Sequence, residues 1–409
     1  MRRKLMAGLL VLTMMVGGLT GCGASGKTSA GSDAATGSTA VSSAAVDQSV
    51  QGSSAAKETT AKKTANKKPY KIAVGLPDSG STMFSLMSNN VKTFVESTGG
   101  KVVFQGGVGA SADATIQFVE DQIAAGANGI IISPPADSVL PTVSSMCEEA
   151  GVYWGITFRT IKDQAIKSQI ESSKYYVGNC FEDEANTGYQ VMTNLNKLVV
   201  KKIAIISQAK GNTTTDLREE GINKACEQYG MKVVTEARSL TQASDATSAT
   251  ESFLSAYPDL DCVFIVGTTG TGMHEAVAKA IKDAGRQDKV KMATIDFPDS
   301  MVELFKSGML DTCSGLPSWG YDPFMITTVL ANKCMGTPIS ETPVTLTCSM
   351  FDISDTATAE AWTKKFGEAT TLYYDKDTML KTFCKSNNKD LNADFMEKSI
   401  KEFTENAIK

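Results

Sequence analysis

A chain of 409 residues is too long for one compact core and, at roughly 100 to 200 residues per domain, allows two or three domains. Charged residues make up 21% and hydrophobic residues 42%, an ordinary globular composition that excludes a multi-spanning membrane protein. The net charge of -5 is unevenly spread, since the body from Tyr70 onward carries -11. That acidic body argues against nucleic acid as a partner, because a phosphate backbone is gripped by clustered Lys and Arg. The single histidine, His274, removes zinc sites built on His pairs, two-His iron sites and zincin motifs. A Ser-His-Asp hydrolase would rest wholly on it, and no metal or cofactor is expected.

The N-terminus reads as an export signal. Met1-Arg2-Arg3-Lys4 is basic, Leu5 to Leu19 is apolar, and Leu19-Thr20-Gly21-Cys22 fits a bacterial lipobox at every position. Small residues before Cys22 suit the signal peptidase, and the thiol is the expected lipid acceptor. The apolar run is shorter than the roughly 20 residues a spanning helix needs. Residues 23–69 are dominated by Gly, Ala, Ser, Thr and Lys, too apolar-poor to order themselves, so a disordered linker is expected. Its reach is roughly 40 Å by the square-root rule for flexible chains. The body is therefore expected outside the cytoplasmic membrane, tethered to it by lipid.

From Tyr70 the chain alternates short β-branched runs with helical stretches. Strands are predicted at Lys71–Leu76, Lys101–Gln105, Gly129–Ser133, Val152–Phe158, Lys202–Ser207, Met231–Glu236, Asp261–Val266, Lys291–Ile295, Asp311–Leu316 and Pro343–Ser349. Between them the apolar spacing turns helical, as in Phe84, Met87, Val91 and Phe94, or Val139, Val143, Met146 and Ala150. Repeated strand, helix, strand order with near-continuous apolar strands predicts an α/β protein with doubly wound parallel sheets. The pattern runs as two sets, Lys71 to about Gly178 and Asn179 to about Asp311, each the size of one lobe. Cys147, Cys226 and Cys262 read as buried thiols, and a single bridge such as Cys313 to Cys348 is left open.

In open parallel sheets, ligands sit beyond the carboxyl ends of the strands. The residues found there are Asp78 to Phe84, Ser133 to Asp137, Phe158-Arg159-Thr160, Gln208 to Arg218, Gly267 to Gly272, Asp296 to Asp299 and Leu316 to Trp319. Aromatic rings beside hydroxyl, carboxylate and guanidinium groups suit a small polar ligand such as a polyol. The candidate ligand contacts are Asp78, Phe84, Ser133, Arg159, Asp216, Arg218, Thr268, Asp296 and Trp319. Asp296 could instead cap the following helix, Asp216 and Arg218 are alternatives for one pocket-facing position, and His274 reads as a satisfied helix residue.

The lipobox, Ile130-Ile131-Ile132-Ser133-Pro134, Gly151-Val152, Tyr175-Tyr176-Val177-Gly178-Asn179 and Ile295-Asp296-Phe297-Pro298-Asp299 resemble the ribose- and galactose-type solute-binding lipoproteins of bacterial ABC importers, over roughly residues 70 to 350. The resemblance implies two Rossmann-like lobes, joined by three hinge crossings near 176–182, 311–315 and 340–346, that close on a ligand. It implies a first lobe of 70–178 plus 316–342 and a second of 179–315 plus 343–409. Asp296 matches the family's second-lobe carboxylate and Phe84 a stacking aromatic. The chain departs where Ser81 to Met83 replace an Asn before the aromatic pair, where Arg159-Thr160 replace Asp-Arg, and where Gly267 or Thr268 replaces an Asn. These departures point away from plain ribose or glucose. Residues 351–409 extend past the usual family end, and Trp362, Phe366, Phe395 and Phe403 predict that the extension packs.

The resemblance implies a monomeric binder without chemistry of its own, partnered by a small polar ligand, a sugar in first place, and a membrane ABC permease. Two other classes compete. The glycines at 267, 270 and 272 followed by a helix and Asp296 look like a dinucleotide unit, but their spacing is not GxGxxG. A ligand-sensing receptor, or an importer component for a nucleoside, furanosyl signal or other non-sugar metabolite, would use the same closing cleft.

Overall fold

The computed structural model describes residues 69–77, 82–267, 271–318 and 320–409. The expected lipidation site Cys22, the linker, and the candidate contacts Asp78, Thr268 and Trp319 lie outside the described residues.

The first run of elements is β1 (Lys71–Gly75), α1 (Thr82–Ser97), β2 (Lys101–Gln105), α2 (Ala112–Ala124), β3 (Gly129–Ile132), α3 (Leu140–Ala150), β4 (Tyr153–Thr157), α4 (Gln164–Glu171) and β5 (Tyr176–Glu182). The second run is α5 (Glu184–Lys197), β6 (Lys202–Ser207), α6 (Thr213–Tyr229), β7 (Lys232–Arg238), α7 (Ala243–Ala256), β8 (Cys262–Ile265), α8 (Met273–Asp283), β9 (Lys291–Ile295), α9 (Met301–Lys306) and β10 (Thr312–Gly315). There follow α10 (Tyr321–Cys334), β11 (Val344–Cys348), β12 (Phe351–Ile353), α11 (Thr356–Phe366), α12 (Lys376–Phe383) and α13 (Ala393–Glu405).

Two six-stranded sheets result, ordered β11-β5-β4-β3-β1-β2 and β12-β10-β9-β8-β6-β7. Every neighbouring pair is parallel except β10 with β12. The central strands β3 and β8 are buried along their whole length, which is why Gly129-Ile-Ile-Ile and Cys262-Val-Phe-Ile read as unbroken apolar runs: helices cover both faces. The edge strand β2 alternates exposed and half-buried positions instead. Asp163, Asp183, Asn212, Asp355, Asp375 and Asn392 cap their helices through side-chain oxygens, each satisfying backbone N–H groups that have no partner within the helix.

The two-lobe, parallel-sheet fold agrees with the sequence, but the lobe boundaries differ. Tyr175 to Asn179 was expected to cross between lobes, yet Tyr176–Glu182 is strand β5 of the first sheet, and the chain crosses at 182–184. The strand near 343–349 forms as predicted but joins the first sheet, with Val344 opposite Gly178 and Cys348 opposite Glu182. A glycine permits this: at Gly178, with φ 123°, a Cβ would fall 1.9 Å from the Val344 carbonyl oxygen. The second crossing runs from Gly315 to Tyr321 and the third from Cys348 to Phe351. Helix α10 then lies against β3, β4, β5 and α1, and every residue from Tyr321 to Asn332 is buried.

The extension does not stay with the second lobe as expected. Helix α11 packs on α9 there, but α12 packs on α1 and α13 on β11, both in the first lobe. Trp362 and Phe366 are buried, and Phe395 and Phe403 are partly so. The Trp362 indole donates to the Pro317 carbonyl at 2.8 Å, and Phe403 stacks on Tyr321 with ring centroids 4.0 Å apart and planes 3° from parallel.

The eight cysteines among the described residues are free thiols. Cys147 and Cys262 are buried as predicted, whereas Cys226 is half-buried. A Cys313–Cys348 bridge does not form, because the two lie in different sheets: Cys313 sits 3.7 Å from the Met301 sulfur, and Cys348 faces Cys180 at 3.6 Å.

Candidate functional site

The site is built at the carboxyl ends of corresponding strands in the two sheets. β4 and β9 each occupy the third position in their sheet, and each is followed by a non-glycine residue in the left-handed region, Phe158 at φ 63° and Asp296 at φ 74°. Such backbone is costly for L-residues and persists where its surroundings hold it. Phe158 N–H donates to the Cys180 carbonyl at 3.0 Å and to Asp322 Oδ2 at 2.9 Å. Asp296 N–H donates to the Ser314 carbonyl at 2.7 Å. The first bend is followed directly by Arg159, and the second is made by Asp296 itself.

On the first-lobe side that group is Arg159, half-buried, with Nη1 donating to the Phe158 carbonyl at 3.0 Å. Asn179 on β5 holds the Arg159 carbonyl through its amide at 3.2 Å. Burial lowers the Arg159 pKa, opposed by Glu184 and Glu182.

On the other side, Arg218 of α6 is buried and gathers carboxylates from three elements. Its Nε donates to Glu184 Oε2 at 2.6 Å, Nη1 to the Val266 carbonyl at 2.9 Å and to Asp296 Oδ2 at 3.3 Å. Nη2 lies 3.7 Å from Glu182 Oε2. Glu182 ends the first sheet's β5 and Glu184 opens α5, so this one guanidinium ties both banks of the first crossing. Burial acts against its charge, but Glu184, Asp296 and Glu182 together raise its pKa. Gly267 lies close to Thr215 of α6: a Cβ there would fall 2.8 Å from Thr215 Cγ2. This close approach favours glycine at that position.

Burial also raises the pKa of Glu182, reinforced by Glu184, and that of Glu184, against the pull of Arg218. Asp322 at the start of α10 accepts from Thr157 Oγ1 at 3.1 Å as well as from Phe158 N–H. Its Oδ1 is buried without a hydrogen-bond partner, and burial pushes its pKa up to about 8. Asp296 differs from these three, because its side chain is 31% exposed.

Among the candidates, Arg218 and Asp296 are therefore brought together, and Arg159 stands at the matching strand end. Asp216 accepts from Gly211 N–H at 2.9 Å and so closes the turn before α6. Ser133 is buried after β3. Phe84 packs edge-on against Phe104 of β2, centroids 6.3 Å apart. His274 shares a hydrogen bond with Thr294 Oγ1 at 2.9 Å, and burial lowers its pKa. Glu182, Glu184 and Asp322 are not among the strand-end candidates of the sequence. An acid inside or directly bordering an apolar run, as in Cys180-Phe181-Glu182 and Asp322-Pro323-Phe324, is the signal that could have marked them. Among the described residues there is no group of three or more His, Cys, Asp and Glu arranged to hold a metal ion, and no helix long and apolar enough to cross a membrane.

The sequence from 72 to 333 matches the model of the periplasmic binding protein domain. The chain belongs to the periplasmic binding protein family. Solved structures of similar fold include a galactofuranose-binding protein, 18% identical, with 73% of this chain covered, 99% of that one and a TM-score of 0.61. Another is a periplasmic solute-binding protein of an ABC transporter from Actinobacillus succinogenes with bound D-allose, 19% identical, with 71% and 99% covered and a TM-score of 0.60. A third is an ABC transporter solute-binding protein from Bacillus halodurans with bound myo-inositol, 18% identical, with 74% and 100% covered and a TM-score of 0.60. No curated protein matches this chain. The family match ends at 333, so this periplasmic binding protein carries β11, β12 and its three last helices beyond it.

Proposed function

We propose that the chain is an extracytoplasmic solute-binding lipoprotein that captures a sugar or related polyol between its lobes and delivers it to a membrane ABC permease. The observation that carries this reading is the Arg218–Asp296 pair, a fixed guanidinium presenting a partly exposed carboxylate at a strand end. A carboxylate held in this way offers strong, directional acceptors to adjacent hydroxyls. The galactofuranose, D-allose and myo-inositol named for the compared proteins are all polyhydroxylated, which supports the ligand class. In this reading Asp296, held by Arg218, meets the ligand from the second lobe, with Asp216 and Thr268 as further candidates on the sequence alone. Arg159 meets it from the first lobe, with Ser133 and Phe84 as further candidates there and Asp78 and Trp319 as candidates on the sequence alone. Asp322 fixes the bend that carries Arg159. The protein acts as a monomer, without a cofactor and without turnover.

A panel of hexoses, pentoses, furanoses and inositols, with nucleosides and amino acids beside them, screened by melting temperature of the purified chain, tests the ligand class. One or a few members should raise the melting temperature in proportion to the logarithm of concentration, as ligand linkage requires. They should be recovered unchanged after incubation. A shift produced only by nucleosides or amino acids, or chemical conversion of the stabilising sugar, would overturn the reading.

The lipid anchor rests on Leu19-Thr20-Gly21-Cys22 and the linker behind it. Cys22→Ser should abolish incorporation of labelled fatty acid and either release the protein from the membrane fraction or leave the precursor uncleaved. Label that persists on the variant would refute lipidation at this residue.

A further inference from the structure

The C-terminal extension bridges the lobes twice. Trp362 and Phe366 of α11 belong to the apolar core of the second lobe. Six residues after Phe366, Leu372 already packs on the core of the first. There the chain is fastened to α1: Asn89 donates to the Thr370 carbonyl at 3.2 Å, Asn90 donates to the Thr371 carbonyl at 2.8 Å, and Asn90 Oδ1 accepts from Tyr373 N–H at 2.7 Å. Asn90 is fully buried, so both ends of its amide are committed to this joint.

The second bridge is the end of α13. Met396 and Ile400 lie in the first lobe's core, Phe403 touches both cores, and Ala407 and Ile408 lie against the second lobe's. Lys365 Nζ donates to the Asn406 carbonyl at 3.2 Å, closing the loop between α11 and the chain end. Between the two bridges runs the crossing from Gly315 to Tyr321. It is held by the Trp362–Pro317 hydrogen bond and the Phe403–Tyr321 stack, while the Tyr321 and Tyr374 hydroxyls lie 2.6 Å apart. Tyr321 is followed directly by Asp322, the residue that holds the Phe158 bend.

We propose that the extension is a strap that limits rotation of one lobe against the other and so restrains opening of the cleft. The proposal rests on reading that cleft as the ligand site. Lobe rotation turns the short crossings, and here the same turn must also separate a helix seated on α9 from a joint seated on α1. A link of six residues spans at most roughly 20 Å when fully drawn out, and the apolar ends cannot leave their cores without exposing them. A restrained ligand-free state spends less of the binding free energy on closing, and release slows because reopening strains the strap.

The test uses the ligand-free full chain. Inserting eight Gly and Ser residues after the exposed Gly367 lengthens the link while leaving each packed surface intact, and Phe403→Leu removes the stack at the second bridge. Hydrogen exchange of the amides in 182–184 and 315–321 should quicken about tenfold in each variant and further in the combination, while β3 and β8 keep their protection. The radius of gyration should rise in the same order. Exchange that quickens only within 367–409, with the crossings and the radius unchanged, would make the extension a passive layer and overturn the proposal. Because no ligand is added, this outcome is separate from the sugar panel, whose failure would strike the ligand reading alone.

Discussion

Replacing Asp296 with asparagine is expected to weaken binding of the stabilising sugar at least tenfold while leaving the unliganded melting temperature close to that of the parent. Hydrogen bonds to a charged acceptor are worth roughly 1.5 to 3 kcal/mol each, and about 1.4 kcal/mol is one decade in affinity. Asparagine is the right replacement because it tolerates the left-handed backbone found there, φ 74°, whereas alanine would add strain of its own. Arg218 keeps Glu184 and the Val266 carbonyl as partners, so the buried guanidinium is not stranded. Calorimetric affinity measured beside the melting curve separates the alternatives. Undiminished affinity with a lowered melting temperature would mean that Asp296 serves only the bend, and would shift the centre of the site toward Arg159.

The second large effect is on pH dependence. Burial raises the Asp322 carboxyl from its ordinary value of 3.8 to about 8, so between these pH values the folded protein holds a proton that the unfolded chain releases. Stability then falls as pH rises. The contribution is fully present below about pH 4, is lost progressively through about pH 8, and changes little beyond. At about 1.4 kcal/mol per pKa unit it is on the order of several kcal/mol. Glu182 and Glu184 are raised as well and act with the same sign. Asp322→Asn keeps an acceptor for Phe158 N–H and cannot ionise. The variant should therefore match the parent near pH 4.5, exceed it in melting temperature at pH 8.5, and retain a shallower slope from the two glutamates. Parallel melting curves for parent and variant across this range would show that Asp322 is not the titrating group.

The sequence made the fold legible where burial alone sets the pattern. Strands such as Ile130-Ile131-Ile132 and Val263-Phe264-Ile265 announce themselves because both faces are covered, and the helices between them keep an apolar stripe. Lobe membership was less legible. Val344-Thr345-Leu346-Thr347-Cys348 reads as a strand, but nothing local says that its partner is β5, since pairing is settled by Gly178 over 160 residues away. The strand-end rule points to Arg159, Arg218 and Asp296, and the fold sets Arg159 and Asp296 just beyond β4 and β9 with Arg218 against Asp296. It did not distinguish Arg218, whose length reaches Asp296, from Asp216, whose short side chain finds Gly211 N–H first. Glu182, Glu184 and Asp322 escaped because they sit on or beside crossings, where a charge is explained only by neighbours distant in sequence, Arg218 for the two glutamates and Thr157 with Phe158 for Asp322. The bend at Phe158 has no sequence mark at all, because nothing in a phenylalanine announces positive φ.

The seating of the chain end bears on how the protein can be handled. Ala407 is only 2% exposed, and the Lys409 N–H donates to the Asn406 carbonyl at 3.2 Å, so the last residues are structural. Lys409 itself is exposed, so an affinity tag carried on a flexible spacer leaves the final turn seated. Trimming the terminus back to Thr404 would strip Ala407 and Ile408 from the second lobe's core. For a sensor, the same geometry is useful: a fluorophore near the end of α13 sits where both cores meet at Phe403, and its signal would follow the lobes without any label in the ligand cleft.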